Sequence, residues 1–328
     1  MTARRATPFQ RARARSLAAV SWIAARLPEG PLVLLADLAG EAWYRAAPDR
    51  AAQARRNLRR VTESLAADGR GSALVRAAAT EPRALERLVR AAFRHNARYY
   101  LEVARAPALS RQNLDDRMLL ETPDVIEEAF TAGRSVIFVG LHFGALELPA
   151  RFLASRVGQA VSPMETLGDP ALQAYFERTR SAAGVRLVGL REARRELLGA
   201  LRAGIPVGIV GDRDLTGSGA PITLFGATAT LPLGPALLAL ESDAPVYVMG
   251  VRRSGPGRYR GRLELVPIPD GGSRRERVMA ITQALAGAFE RVVATAPEQW
   301  WAVFFPIWAD LEEAAAATSQ PAPDRSAA

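Results

Sequence analysis

Two chemically important amino acids are missing from this chain of 328 residues. It has no cysteine, which excludes thiol nucleophiles, disulfides, iron–sulfur clusters and Cys-ligated zinc. It also has no lysine, since all 43 Lys and Arg positions are arginine, and this excludes a Walker-type phosphate loop, a Schiff-base lysine and a kinase lysine. Histidine is scarce, so any histidine-dependent chemistry depends on His95 or His142.

Long hydrophobic runs are also absent, although 49% of the residues are hydrophobic. No apolar stretch reaches the ~18 residues of a bilayer span, so the sequence predicts no transmembrane helix. Arg26 interrupts the early apolar segment, and no signal peptide is expected there. The length and composition suit one large α/β domain or two small ones.

Positive charge is concentrated at the start of the chain. The net charge is +9, and residues 1–60 hold 12 Arg against four acidic residues, which is +8 in that segment alone. Trp22, Trp43 and Tyr44 lie among these arginines, a combination typical of helices that bind an anionic membrane surface. The alternative is a solvated arginine face over ordinary core helices. No nucleic-acid recognition motif is present, and no nucleic-acid partner is expected.

Hydrophobic periodicity changes near residue 110. Residues 1–110 follow helical spacing and form a basic, membrane-facing subregion, whereas residues 111–312 alternate between strands and helices. This alternation predicts an α/β fold with a mostly parallel or mixed central sheet flanked by helices. The predicted strands are 135–140, 159–163, 185–189, 206–211, 221–225, 245–252 and 259–266. The predicted helices are 123–132, 144–156, 170–183, 191–203, 232–241 and 273–294. Residues 300–308 read as a strand followed by a loop, and residues 313–328 as a disordered tail.

His142 is the most informative residue. It follows the apolar strand predicted at 135–140, and Glu147 comes five positions later, behind Gly144. A general base at the end of a strand, with a carboxylate to orient it, is a common arrangement in α/β enzymes. On an ideal helix, residues five apart diverge by about 140°, so the pair requires His142 in the strand-to-helix turn. The alternative is a histidine satisfied by the backbone beside a surface glutamate.

A second charged group follows the strand predicted at 206–211. Asp212, Arg213 and Asp214 come directly after it, and charges at a strand end are costly to bury unless they pair or bind something. This group and His142 could line the same crevice, or it could form an exposed turn with an Asp cap. Arg180, ahead of Gly184, is a weaker candidate for binding phosphate or carboxylate. His95 has no metal-ligand spacing and is assigned a structural or surface role.

Taken in order, these segments resemble the bacterial lipid A biosynthesis acyltransferases, which carry a His-x4-Asp/Glu motif. The resemblance covers about residues 15–312. The blocks that carry it are Arg55-Arg56-Asn57-Leu58, His142 with Glu147, Arg180 with Gly184, Asp212-Arg213-Asp214 with Leu224-Phe225-Gly226 and Pro232-Leu233-Gly234-Pro235-Ala236, and Pro297-Glu298-Gln299-Trp300-Trp301.

The resemblance implies transfer of a fatty acyl chain from a thioester to a hydroxyl of a membrane lipid. His142 would remove the hydroxyl proton and Glu147 would orient His142. Arg180 and Arg213 would bind the phosphates of the donor or the acceptor headgroup, and Asp212, Asp214, Phe143 and Gly144 are assigned to substrate binding with them. No metal and no bound cofactor would be required.

Lipid A members usually carry an N-terminal spanning helix, and the sequence predicts none here. The chain is therefore more similar to the phosphatidylinositol mannoside acyltransferase branch, which implies acyl-CoA as donor, a glycolipid acceptor and a peripheral position at the cytoplasmic face of the membrane. A lipid A-type enzyme using acyl carrier protein and a catalytically silent membrane-binding homologue remain alternatives. A serine hydrolase is disfavoured, because no Gly-x-Ser-x-Gly elbow is present.

Overall fold

The computed structural model describes residues 7–130 and 135–319, and the first hundred of these are helical as predicted. Three of the helices begin at residues that favour a helix N-terminus. Thr7 forms a capping box with Gln10, and Pro48 and Pro82 occupy first-turn positions. Their bounds are α1 Pro8–Ala24, α2 Glu29–Ala46, α3 Pro48–Ala67, α4 Ala73–Ala78 and α5 Pro82–Arg105.

Strands and helices alternate in the remainder of the described chain. The strands are β1 Met118–Leu120, β2 Ile137–Gly140, β3 Ala160–Met164, β4 Val185–Gly189, β5 Val207–Val210, β6 Ala220–Leu224, β7 Ala227–Leu231, β8 Val246–Gly255 and β9 Arg258–Val266. The helices are α6 Arg111–Arg117, α7 Pro123–Ala129, α8 Glu147–Val157, α9 Pro170–Ser181, α10 Ala193–Arg202, α11 Gly234–Ser242, α12 Arg274–Val293 and α13 Ala309–Ser319.

Seven strands form a mixed sheet in the order β1-β9-β8-β2-β5-β3-β4. All neighbours in it are parallel except β8 and β9, and β6 and β7 form a separate antiparallel hairpin. This confirms the predicted α/β class with a mostly parallel sheet. β2 pairs with β5 so that Gly140 lies beside Val210, which brings the carboxyl ends of the two strands to one edge.

One hydrophobic core joins the helical region to the sheet. Leu58 of α3 and Phe93 of α5 belong to the same buried cluster as Ile137 of β2 and Val246 of β8. The division between residues 110 and 111 therefore separates two regions that share a core. Within residues 7–130 and 135–319, no helix combines the length and the hydropathy that a bilayer span requires.

The prediction of a strand within residues 300–308 was wrong. Trp301–Phe304 forms a short 3-10 helix, and the segment pairs with the His142 turn through one isolated bridge. Side chains of the helical region satisfy its carbonyl groups instead: Asn57 donates to the oxygens of Val303 and Phe305 at 2.9 and 2.8 Å. An apolar run can avoid a sheet when its polar backbone groups find such partners.

The tail prediction was also wrong in part, because α13 continues to Ser319 whereas disorder was predicted from residue 313. Residues 320–328 of that tail lie outside the described residues. The sequence predicted neither β1 nor β7. β1 has only three residues, and the alternating Ala and Thr of β7 give little apolar signal.

Candidate active site

His142 and Asp212 meet at the carboxyl edge of the sheet. His142 lies two residues beyond β2 and Asp212 two residues beyond β5, and the last residues of these strands, Gly140 and Val210, are register partners. Oδ1 of Asp212 lies 2.6 Å from Nδ1 of His142, and Oδ2 accepts a hydrogen bond from the His142 backbone N–H at 3.0 Å. The crevice anticipated between the two strand ends is therefore formed by side chains in direct contact.

Asp212 is a buried carboxylate whose oxygens are contacted by hydrogen-bond donors. Its side chain is 1% exposed, and Oδ2 also accepts from Nε1 of Trp300 at 2.8 Å. Burial alone would raise the pKa of Asp212, but the positive charge that His142 can carry and the donated hydrogen bonds lower it overall. An ionised Asp212 can only accept, so Nδ1 of His142 must carry the proton it shares. Nε2 of the neutral ring then holds the free lone pair.

The segment Pro297–Gln299 and the two tryptophans after it hold the His142 turn in place. The backbone of Trp301 donates to the carbonyl of His142, and that of Gly144 donates to the carbonyl of Gln299, both at 2.9 Å. The Trp301 ring packs edge-on against the imidazole, with centroids 4.6 Å apart. These contacts hold the imidazole and its turn, and they explain why a segment more than 150 residues away in the chain belongs to the site.

Glu147 does not orient His142, which corrects the role predicted for it. Glu147 is the first residue of α8, and its carboxylate forms a two-point ion pair with Arg180 of α9: Oε1 to Nη2 at 2.6 Å and Oε2 to Nε at 3.2 Å. Glu147 is buried, and the pair raises the pKa of Arg180 although burial by itself would lower it. Arg180 therefore has a carboxylate partner within the protein.

Phe143 and Gly144 shape the turn. Gly144 has φ +53°, and a Cβ placed there would lie 2.0 Å from the carbonyl oxygen of Val251, so only glycine fits. The carbonyl of Gly144 accepts from the buried guanidinium of Arg253 at 2.8 Å. Phe143 is buried and lines the adjoining cavity. Glycine here is needed for close backbone packing; no contact of it with a substrate is established.

The two neighbours of Asp212 have different surroundings. Asp214 closes its own loop, accepting backbone hydrogen bonds from Thr216, Gly217 and Gly219 that lower its pKa against the effect of desolvation. Arg213 instead lies over the ring of Phe305, 3.8 Å from its centroid. The three residues of the predicted charged group therefore have different roles. Asp212 contacts His142, Arg213 lies on an aromatic ring, and Asp214 caps a turn.

His95 lies on α5, outside the two strand ends that carry His142 and Asp212. Its Nδ1 is buried and has no hydrogen-bond partner among the described residues. Burial and, next, the charge of Arg253 hold its pKa well below 6.5, so it is neutral at physiological pH. This placement agrees with the structural role predicted for it.

An apolar cavity of about 800 Å³ opens beside the turn. It is bounded by β2, β3, β5, β8 and α8, with the Glu147 and Arg180 pair in its wall. A second cavity of about 410 Å³ continues beneath α8 towards α7 and shares four residues with the first, Pro149, Leu153, Met249 and Val251. Together they provide an extended apolar space that begins at Leu141 and Phe143, the chain neighbours of His142.

The sequence model described as bacterial lipid A biosynthesis acyltransferase matches residues 10–305. The chain belongs to the bacterial lipid A biosynthesis acyltransferase family. Membership makes this protein an acyltransferase and confirms the family predicted from the sequence.

Two mycobacterial relatives point to one branch of the lipid A biosynthesis acyltransferase family. The phosphatidylinositol mannoside acyltransferase of Mycolicibacterium smegmatis is 30% identical over 231 residues, covering 69% of this chain and 74% of the relative. The phosphatidylinositol mannoside acyltransferase of Mycobacterium tuberculosis (strain ATCC 25618 / H37Rv) is 30% identical over 223 residues, covering 66% of this chain and 69% of the relative. The similarity supports the predicted branch of the family.

The contribution of the Glu147 and Arg180 ion pair to stability can be tested by substitution. We expect Arg180→Gln to lower the free energy of unfolding by about 3–5 kcal/mol, because it leaves a buried carboxylate without its counter-charge. The double variant Glu147→Gln with Arg180→Gln should recover part of that loss, since no uncompensated charge remains. Denaturant unfolding of the three proteins measures this. If the double variant were less stable than Arg180→Gln alone, the unpaired charge would not be the cause.

Proposed function

We propose that this acyltransferase moves a fatty acyl chain from acyl-CoA to a hydroxyl of a membrane glycolipid resembling phosphatidylinositol mannoside, with His142 as general base. The observation that carries the proposal is the contact between His142 and Asp212 at the edge of the sheet, where Leu141 and Phe143, on either side of His142 in the chain, line an apolar cavity. The His142 side chain is 17% exposed, and no described residue hydrogen-bonds its Nε2. Nε2 is therefore left without a hydrogen-bond partner among the described residues, on a side chain that is partly exposed.

The arrangement supports one proton-transfer sequence. Nε2 of His142 takes the proton of the acceptor hydroxyl while that oxygen attacks the thioester carbonyl carbon. The tetrahedral intermediate collapses, the carbon–sulfur bond breaks, and the departing thiolate receives the proton from Nε2. The products are an ester and a free thiol. Asp212 stabilises the imidazolium that forms between the two steps and fixes the tautomer, as the acidic member of a catalytic triad does.

The acyl chain has a suitable place next to this base. Most residues that line the 800 Å³ cavity are apolar, among them Leu146, Leu153, Ile209 and Met249. An acyl chain bound there would place its thioester carbonyl at the cavity mouth, beside His142. The mechanism needs neither a metal ion nor a bound cofactor, because the thioester is already an activated acyl group.

The glycolipid acceptor is taken from the relatives, which are named phosphatidylinositol mannoside acyltransferases. The test is a transfer assay with purified protein, radiolabelled palmitoyl-CoA and phosphatidylinositol mannosides, with product identified by mass spectrometry. A labelled acceptor supports the proposal. Label transferred only from palmitoyl-acyl carrier protein would show that the donor is acyl carrier protein and not CoA. No product with either donor would favour the catalytically silent, membrane-binding homologue.

The membrane surface is proposed as a partner through α1 and α2. Large hydrophobic side chains on these helices are exposed, including Trp22 at 59%, Leu34 at 61% and Leu35 at 61%. Arginines lie beside them, and the Arg26 guanidinium covers the Trp22 ring at 3.7 Å. Exposed apolar groups flanked by cations suit a bilayer interface with anionic lipids. These features support a peripheral position, which we propose to be at the cytoplasmic face, where acyl-CoA is available.

Vesicle flotation tests this surface. We expect Leu35→Glu to weaken binding to phosphatidylglycerol vesicles about tenfold, since it removes one inserted leucine and adds a repelled charge. Leu265→Glu is the matched control, because Leu265 is 48% exposed and belongs to β9 instead of α1 or α2. Equal binding by the two variants would show that α1 and α2 do not contact the membrane.

A further inference from the structure

Arg213 is a half-buried cation without a carboxylate partner among the described residues. Its two acidic neighbours in sequence are already engaged. Asp212 accepts three hydrogen bonds from His142 and Trp300, and Asp214 accepts those of its own loop. The guanidinium of Arg213 contacts the Phe305 ring, which occupies one face and leaves its five N–H donors unassigned within the described chain.

A second guanidinium lies against the same ring. Arg50 is 5.0 Å from the Phe305 centroid, and it donates one hydrogen bond, to the carbonyl of Phe304 at 2.7 Å. Phe305 thus carries two arginine groups, and neither has a carboxylate partner in residues 7–130 and 135–319. Two like charges held near one ring repel each other, and an anion between or beside them would relieve that repulsion.

Arg213 lines an open cavity of about 680 Å³. Asp212, Arg213 and Asp214 form one wall of this cavity, while β7 and residues 302–307 form the rest. It is more polar than the cavity assigned to the acyl chain, and the two cavities share no lining residue. Asp212 belongs to the wall and also holds His142, so a group bound at Arg213 would be next to the catalytic base.

We propose that Arg213, supported by Arg50, binds a phosphate group of a substrate in this cavity. The inference rests on the proposed acyl transfer. It distinguishes Arg213 from Arg180, which the sequence analysis treated as equal candidates for binding phosphate. The charge of Arg180 is balanced by Glu147, whereas Arg213 has no carboxylate partner among the described residues. A planar guanidinium can bind two phosphate oxygens at once, which gives strength and fixes the orientation of the bound group.

Two substrates could supply the phosphate. Coenzyme A carries a diphosphate and a ribose phosphate, and the phosphoinositol headgroup carries a phosphodiester. In both cases the reacting atom, a thioester carbonyl or a sugar hydroxyl, is separated from the phosphate by a polar linker. A phosphate held at Arg213 would lie beside Asp212, the partner of His142, which is compatible with either substrate.

Equilibrium binding tests the proposal without turnover. Free coenzyme A and glycerophosphoinositol are titrated separately into the wild type, Arg213→Gln and Arg202→Gln by calorimetry. Arg202 is the matched control, an exposed arginine at the end of α10 without a described ion pair. We expect Arg213→Gln to weaken at least one ligand about ten- to a hundredfold, the loss typical of a hydrogen bond to a charged group. Arg213→Lys should weaken it less.

The ligand that is affected identifies the source of the phosphate. Weaker binding of coenzyme A alone assigns the site to the donor, and weaker binding of glycerophosphoinositol alone assigns it to the acceptor. Equal affinities in Arg213→Gln and Arg202→Gln, or no binding to the wild type, would overturn the inference. Acyl transfer by the wild type is measured separately, so a failure of the proposed reaction is distinguishable from a failure of this site. Melting curves of all variants exclude unfolding as the cause.

Discussion

Replacing His142 with alanine is expected to lower the rate of acyl transfer by about 10²–10⁴-fold, the contribution typical of a positioned general base. The reason is local, since the hydrogen-bond partners of Asp212 among the described residues are His142 and Trp300, and the chain contains neither lysine nor cysteine to substitute. The measurement is the initial rate with saturating palmitoyl-CoA and phosphatidylinositol mannoside, for wild type and variant. The acyl chain cavity is untouched, so the KM for the donor should change little.

Alanine at position 142 also leaves Asp212 without its shortest contact, and this destabilises the fold. His142→Gln separates the two effects, because an amide can still donate towards Asp212 but cannot accept the acceptor's proton. It should be as inactive as His142→Ala and melt closer to the wild type. His95→Gln is the control for the other histidine and should retain transfer. Activity retained in His142→Gln would exclude the general-base role.

The sequence was sufficient to single out His142, the proposed base, but not its partner. His142 was recognisable because an apolar strand ends just before it. Glu147 was misassigned because a separation of five residues was taken as contact, whereas the side chain that reaches the imidazole is 70 residues away in the chain. One signal could have found it: His142 and Asp212 each lie two residues beyond a predicted apolar strand, and adjacent parallel strands bring such positions together.

Trp300 had no comparable signal. Its indole reaches Asp212 because the 3-10 segment around it packs against the His142 turn and is held by Asn57 from the helical region. Such contacts depend on three distant segments and follow no sequence period. By contrast, most helix and strand positions between residues 123 and 294 followed from periodicity, since each element there buries one face in the shared core. Local patterns predicted the elements, and tertiary contacts determined the site.

The sharpest test of the assigned partner is Asp212→Asn, which we expect to lower kcat about 10³–10⁴-fold at nearly unchanged side-chain volume. An asparagine oxygen can still accept from Trp300, but its NH₂ then faces Nδ1 of His142. That nitrogen must become an acceptor, so the proton moves to Nε2 and the lone pair no longer faces the acceptor hydroxyl. The KM for palmitoyl-CoA should stay within a few-fold, because the acyl cavity does not include this residue.

The pH dependence distinguishes this role from a merely structural one. A carboxylate at position 212 stabilises the imidazolium, so the pH below which kcat falls should be lower in Asp212→Asn than in the wild type. Stability has a separate window. The pKa of Asp212 is lowered on folding, so its contribution is present above its unfolded value of about 3.9 and is lost as the pH falls through the lower folded value. The variant should therefore show less acid destabilisation below about pH 4.

Asp214→Asn is the matched control for both measurements. Asp214 is two residues away and hydrogen-bonds its own loop instead of His142. Its replacement should leave the acid limb of kcat where the wild type has it, and reduce kcat far less than Asp212→Asn. If both variants shifted the acid limb equally, the effect would come from general loss of negative charge near the site. An unchanged acid limb in Asp212→Asn, with kcat near the wild-type value, would exclude Asp212 as the residue that positions His142.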